Sequence, residues 1–140
     1  MSRAEAFREF VEARAGGACE YCRLLQRATG VTFHIEHFRP QSQRGETSLS
    51  NLVLSCPGCN LAKGDRTTGR DRSGMTWPLF NPREYESWLL GWHLHFIVDR
   101  DSGLIVPRTS RAEATLVTLN INSRHRAFAR KLQIDAGLIG

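Results

Sequence analysis

The sequence has no long apolar run, no leader pattern and no surplus of cysteine, and each absence narrows what the chain can be. No stretch approaches the roughly 18 consecutive apolar residues of a membrane-spanning helix, so no membrane partner is expected. The opening Met1-Ser2-Arg3-Ala4-Glu5 lacks the basic-then-apolar order of a secretory leader, and the expected compartment is the cytoplasm. Thiols stay reduced there, so the four cysteines are expected to bind metal rather than to pair as disulfides. There is no internal repeat and no linker. A chain of 140 residues is large enough for one real core but not for two, and the expected organisation is a single domain over residues 1–140.

What is present points to a folded, basic protein. A hydrophobic share of 41% with three tryptophans is that of a globular chain rather than a disordered one. Nineteen Lys and Arg against fourteen Asp and Glu leave a net charge of +5, which favours an anionic partner. Residues 1–100 are nearly balanced, with thirteen basic and eleven acidic side chains, whereas residues 101–140 carry six and three. The excess is concentrated towards the C-terminal end.

Local patterns give an α+β reading. In residues 4–15, Phe7, Phe10, Val11 and Ala15 share a helical stripe that Gly16-Gly17 stops. Residues 31–36 alternate as a half-buried strand, with Val31, Phe33 and Ile35 inward and His34 and Glu36 on the other face. Pro40 and the polar run 41–50 form a loop. Leu52-Val53-Leu54 is a short buried strand, residues 56–59 are a turn, and Asn60 opens a short helix to Lys63. Residues 66–74, rich in glycine, threonine and charge, read as an exposed loop. Trp88, Leu89 and Trp92 form an apolar anchor. Leu94, Phe96 and Val98 alternate as a strand that turns through residues 99–103 into Leu104-Ile105-Val106. Ser110 with Glu113 has the form of a capping box. Asn122 or Ser123 caps a last helix with Ala127, Phe128, Leu132 and Ala136 inside and a basic face outside.

Two Cys-x-x-Cys pairs, Cys19/Cys22 and Cys56/Cys59, are the strongest chemical signal. Four thiolates saturate a tetrahedral zinc and leave no open position, so the spacing predicts a structural zinc site. The 33 residues between the pairs exceed the usual ribbon spacing of roughly 15–20, which places a functional insertion between the two turns. The rival is a finger built on Cys19, Cys22, His34 and His37. Fingers need about three to five residues between their histidines, on a helix. Only two separate these, in a strand-like run, and Cys56 and Cys59 would be stranded. Inside the insertion, Glu36 and His37 adjoin at a strand end. Consecutive strand residues face opposite ways, so both serve one phosphate only where Phe38-Arg39-Pro40 breaks the strand. The carboxylate of Glu36 and the amide oxygen of Asn60 are hard ligands suited to magnesium or manganese.

The run His34-Ile35-Glu36-His37, Gly45, Asn51-Leu52-Val53-Leu54, Cys56-x-x-Cys59-Asn60-x-x-Lys63, preceded by Cys19-x-x-Cys22, resembles the HNH endonuclease family. The resemblance covers residues 19–63. Residues 78–130, with Leu79-Phe80-Asn81-Pro82-Arg83, are similar to the C-terminal part of one bacterial HNH subgroup. The resemblance implies a ββα-metal core over about residues 16–68, stapled by the four-cysteine zinc and extended over about 69–140 by helices and a C-terminal hairpin. It implies that His37 is the general base and that Glu36 and Asn60 hold the catalytic ion. Asn51 would bond loop backbone and set the histidine's orientation. Many members carry aspartate at the Glu36 position, and asparagine at the Asn60 position is a variant the family uses. The implied activity is hydrolysis of DNA phosphodiester bonds by a one-metal, histidine general-base mechanism that leaves 5′-phosphates. The alternative is a zinc-stabilised nucleic-acid-binding module without catalysis.

Contacts to nucleic-acid phosphates are expected from Arg39 and Lys63 beside the motif, and from Arg126, Arg130 and Lys131 on the basic face of the last helix. His34 reads as a partly exposed strand residue, His93 and His95 as structural or solvent-facing, and Trp77, Trp88 and Trp92 as core or anchor residues.

Overall fold

The computed structural model describes residues 3–140; Met1 and Ser2, which open the stretch read above for a leader, lie outside the described residues. A 3-10 turn at Ala4–Phe7 leads into helix α1 (Arg8–Ala15), which ends where Gly16 takes φ 65°, a left-handed conformation natural to glycine. Val11 and Ala15 are buried, but Phe10 points outward. The first cysteine turn follows and is tied to the sheet by Glu20. The Glu20 N–H donates to the Leu54 carbonyl at 2.9 Å, and its carboxylate accepts from the Leu54 N–H at 3.0 Å.

Strand β1 (His34–His37) pairs antiparallel with β2 (Leu52–Ser55), with Ile35 opposite Leu54 and Glu36 opposite Val53. All of β2 is buried, and helix α2 (Pro57–Lys63) begins at once, with Cys56 as its N-cap and Pro57 in its first turn. Proline fits there because that position has no intrahelical N–H bond to lose. The helix thus starts inside the second cysteine turn rather than after it. The facing of β1 also differs from the simple alternation: Glu36 is buried, whereas Val31 is exposed and precedes the strand. The cause is local. β1 has one neighbouring strand, and Tyr21 and Lys63 cover the Glu36 side.

Residues 68–78 form a second antiparallel pair, β3 (Thr68–Arg70) with β4 (Thr76–Pro78), and β3 falls where a loop over residues 66–74 was expected. Asp71 closes its turn by accepting from the Ser73 and Met75 N–H groups, the Ser73 hydroxyl and the Trp77 indole. Polar bonds of this kind leave no apolar period in the sequence. Helix α3 (Trp88–His95), capped by Ser87, takes Leu94 out of the expected strand. β5 (Phe96–Val98) then pairs with β6 (Ile105–Pro107). Helix α4 (Ser110–Thr118) is capped by Thr109, not Ser110. The Thr109 hydroxyl accepts from the Ala112 N–H, while Glu113 accepts from the Arg72 N–H instead of completing a capping box. Trp92, Phe96 and Phe80 meet at ring separations of 5.0 and 5.5 Å in the core. The architecture is α+β, with small antiparallel pairs among helices.

Helix α5 (Arg124–Asp135) is capped by Ser123 and buries Ala127, both as expected, but the rest of its inner face differs from the expectation. Ala127, Arg130, Gln133 and Ile134 are buried, and Phe128 and Leu132 are exposed. No helix among the described residues is long and apolar enough to cross a membrane.

Candidate functional site

The four cysteine side chains are buried, and their sulfurs lie within 4.8 Å of one another. Cys22 Sγ and Cys56 Sγ are 3.6 Å apart, close to the edge of about 3.8 Å in a tetrahedron with Zn–S bonds of about 2.3 Å. In each turn the second cysteine's N–H donates to the first cysteine's sulfur at 3.4 Å, which favours a thiolate acceptor. Burial pushes the Cys19 and Cys59 thiols up, while hydrogen bonds from Cys19, Cys22 and Cys59 pull Cys56 down. Such a group cannot ionise fully without a cation at its centre. The residues therefore fit a closed metal centre, and a four-thiolate donor set is that of structural zinc.

Zinc on four thiolates carries an excess of negative charge, and α5 faces it with two guanidiniums. Arg126 Nη1 donates to Cys59 Sγ at 2.9 Å, and its Nη2 donates to the Leu119 and Asn120 carbonyls. Gly58 makes room for this approach, since a Cβ there would lie 2.9 Å from Arg126 Nε. Burial works against the Arg126 charge, yet the surrounding cysteines hold its pKa above the ordinary value. Arg130 is fully buried; it donates to the carbonyls of Gly103, Cys22 and Ile121 and to Asn122 Oδ1. This corrects the expected outward placement of Arg130 and turns Arg126 partly inward, while Arg124 stays exposed. Arg126 and Arg130 serve the metal centre and its frame, and burial leaves Arg130 no surface to offer a phosphate. Lys131 stays partly exposed and pairs with Asp135 at 2.7 Å.

Beside this centre lies an open cleft of about 440 Å³ that Glu36, His37 and Asn60 line together, with His34, Ser42 and Asp65. β1 supplies the first two, and α2 supplies Asn60, the residue after Cys59. Glu36 Oε2 accepts from the Tyr21 hydroxyl at 2.8 Å. Its Oε1 lies 3.7 Å from Lys63 Nζ and has no hydrogen-bond partner. Burial pushes the Glu36 carboxyl up to about 7, against the opposing pull of Lys63 and Tyr21. A buried polar atom without a partner is costly, and a cation is one group that satisfies it. The carboxylate and amide oxygens of Glu36 and Asn60 form a donor set for a hard cation.

His37 Nε2 is 2.8 Å from Thr47 Oγ1, and burial lowers the imidazole's pKa. Thr47 is held on a tightly closed loop. Asn51 Oδ1 accepts from the Arg39 N–H at 2.9 Å, and its Nδ2 donates to the carbonyls of Arg39 and Glu46 at 3.0 and 2.8 Å. Gly45 has no alternative at its position, because a Cβ would come within 1.7 Å of the Arg39 carbonyl oxygen. Arg39 is exposed, with Nε donating to the Gln43 carbonyl. Lys63 is not: it is fully buried and donates to the Phe38 carbonyl at 2.7 Å, so the expected phosphate contact has no accessible ammonium. Sequence reasoning does not find Tyr21 or Thr47. The first sits inside a metal turn and the second in a polar run, and neither position carries a periodic signal.

Among the described residues, a closed thiolate cluster fit for a structural metal thus lies beside an open cleft with carboxylate, imidazole and amide groups. Residues 19–66, the segment that builds both, match the model of the HNH endonuclease family, a family of nucleases that act on nucleic acid. No curated protein and no solved structure matches the chain.

Proposed function

We propose that this is a cytoplasmic, metal-dependent endonuclease that hydrolyses DNA phosphodiester bonds. Residues 16–68 would form its ββα-metal core and residues 69–140 an extension of the same domain. The observation that carries this reading is the meeting of Glu36, His37 and Asn60 in one open cleft, with Glu36 Oε1 lacking a hydrogen-bond partner within the protein. Glu36 and Asn60 would hold Mg2+ or Mn2+, which when bound polarises the phosphate and stabilises the leaving 3′-oxygen.

The chain's own groups do the rest. The 2.8 Å contact between His37 Nε2 and Thr47 Oγ1 would hold the ring proton on Nε2 and leave Nδ1 to accept a proton from the attacking water. The burial that lowers the His37 pKa keeps the imidazole neutral at neutral pH, as a base must be. Asn51 and Gly45 fix the loop that carries Thr47 and so the ring's orientation. Arg39 is an exposed cation beside the motif and would offset phosphate charge, with Lys131 as a peripheral contact.

The test is a panel of labelled duplex and single-stranded DNA incubated with purified protein and Mg2+ or Mn2+, with and without EDTA. Zinc content is checked after chelation. Cleavage that needs the added metal and leaves 5′-phosphates supports this reading. Binding without cleavage of any substrate would identify an inactive nucleic-acid-binding module instead.

A further inference from the structure

We infer that Tyr21, from inside the first cysteine turn, is a positioning residue for the cation site: its hydroxyl holds Glu36 Oε2 so that Oε1 alone faces the cation. The inference rests on the nuclease reading of the cleft and adds a residue to it. Tyr21 is fully buried, and its hydroxyl donates to Glu36 Oε2 at 2.8 Å. Its backbone is immobilised on every side. Cys19 and Cys22 flank it in the metal centre, Glu20 is bonded to Leu54 and paired with Arg83, and its carbonyl accepts the Trp92 indole N–H at 2.8 Å. Beside a carboxylate, which only accepts, the phenol O–H is the donor of the pair.

Glutamate has a long, flexible arm, and fixing it against a cation loses rotamer entropy. Tyr21 removes that freedom in advance. Lys63 completes the arrangement: its Nζ is bonded to the Phe38 carbonyl and stands 3.7 Å from Glu36 Oε1, close enough to steady the charge without occupying the oxygen. The two metal sites are thereby joined through one side chain. The cysteine turn fixes the tyrosine, and the tyrosine fixes the carboxylate.

The experiment measures Mn2+ binding by electron paramagnetic resonance on zinc-loaded parent protein, Tyr21→Phe and Glu36→Gln. Tyr21→Phe should keep its zinc and its fold, with a lowered melting temperature from the unpaired Glu36 Oε2, bind Mn2+ about 10–100-fold more weakly, and recover much of its lost cleavage rate in excess Mn2+. Equal Mn2+ affinity in Tyr21→Phe and parent, with binding lost in Glu36→Gln, overturns the positioning role and leaves the nuclease reading standing. A parent that binds no Mn2+, or a Glu36→Gln variant that binds it equally well, overturns the cation site and the positioning role together. Should Tyr21→Phe lose zinc, the unaltered protein decides. It has two tyrosines, and with 13C at tyrosine Cζ the Tyr21 signal should shift on Mg2+ saturation while that of Tyr85 stays. A Tyr21 signal that does not move overturns the inference.

Discussion

The two sites within residues 19–66 share a hairpin and a helix but follow opposite rules. The cysteine centre has four identical donors, all buried, with guanidiniums closing its outer side. The cleft has three different donors, solvent access and a buried carboxylate oxygen without a hydrogen-bond partner. Cys59 and Asn60 are consecutive on α2, yet one faces each site. A saturated site can only hold structure, whereas an unsaturated one can admit substrate. The difference teaches where stability and chemistry should separate under mutation, and the two should respond independently wherever the sites do not share a residue.

The largest expected effect breaks the closed side. Cys56→Ser should release zinc and unfold or aggregate the core. Structural zinc contributes on the order of 10 kcal/mol to small modules, comparable to a whole domain's net stability. Metal analysis and a circular-dichroism melt check this; a folded, soluble parent protein without zinc would contradict it.

Glu36→Gln breaks the open side and should leave zinc in place. The folded pKa of about 7 lies above the ordinary 4.5. Stability tied to protonated Glu36 is therefore fully present below about pH 4.5 and is lost as pH rises through about 7. Without added magnesium or manganese, the variant should gain on the parent between about pH 5 and about pH 8, by roughly 3 kcal/mol at most. Urea melts at the two pH values measure it, and an unchanged difference between the proteins would show that Glu36 is not strained by burial.

Arg126→Met sharpens the comparison at the outer shell of the closed centre. Zinc affinity should fall about 10–100-fold, as for other second-layer partners of metal ligands, while the salt dependence of DNA binding stays unchanged. A zinc-competition assay and binding isotherms at several salt concentrations separate this role from the phosphate contact first expected of the residue. Arg39→Ala should do the reverse at the smallest scale. Zinc affinity should hold, and the logarithmic salt slope of DNA binding should become shallower by about one unit. An unchanged slope would mean that Arg39 is simply solvated.

What a sequence can disclose here follows from how local each cause is. The cysteine pairs, β2, and the neighbourhood of Asn51 and Gly45 are legible because their spacing acts over a few residues. The orientation of α5 is not. A helical wheel places Arg126 and Arg130 outside, but the thiolates and carbonyls that draw them inward are assembled mainly from residues far earlier in the chain. Lys63 and Glu36 mislead in the same way: each looks solvent-facing alone, and each is buried against the other. The β3–β4 pair depends on the hydrogen bonds of Asp71 rather than on any apolar alternation.

The central claim is that the cleft performs metal-dependent hydrolysis with His37 as its base, and the cleavage rate of His37→Ala tests it most directly. The variant should keep its zinc, fold, Mn2+ binding and DNA affinity. Its rate should fall by about two to four orders of magnitude, the usual worth of a positioned general base, and extra metal should not restore it. Cleavage at the parent rate by folded, zinc-loaded His37→Ala would contradict the assignment of this residue and the mechanism built on it.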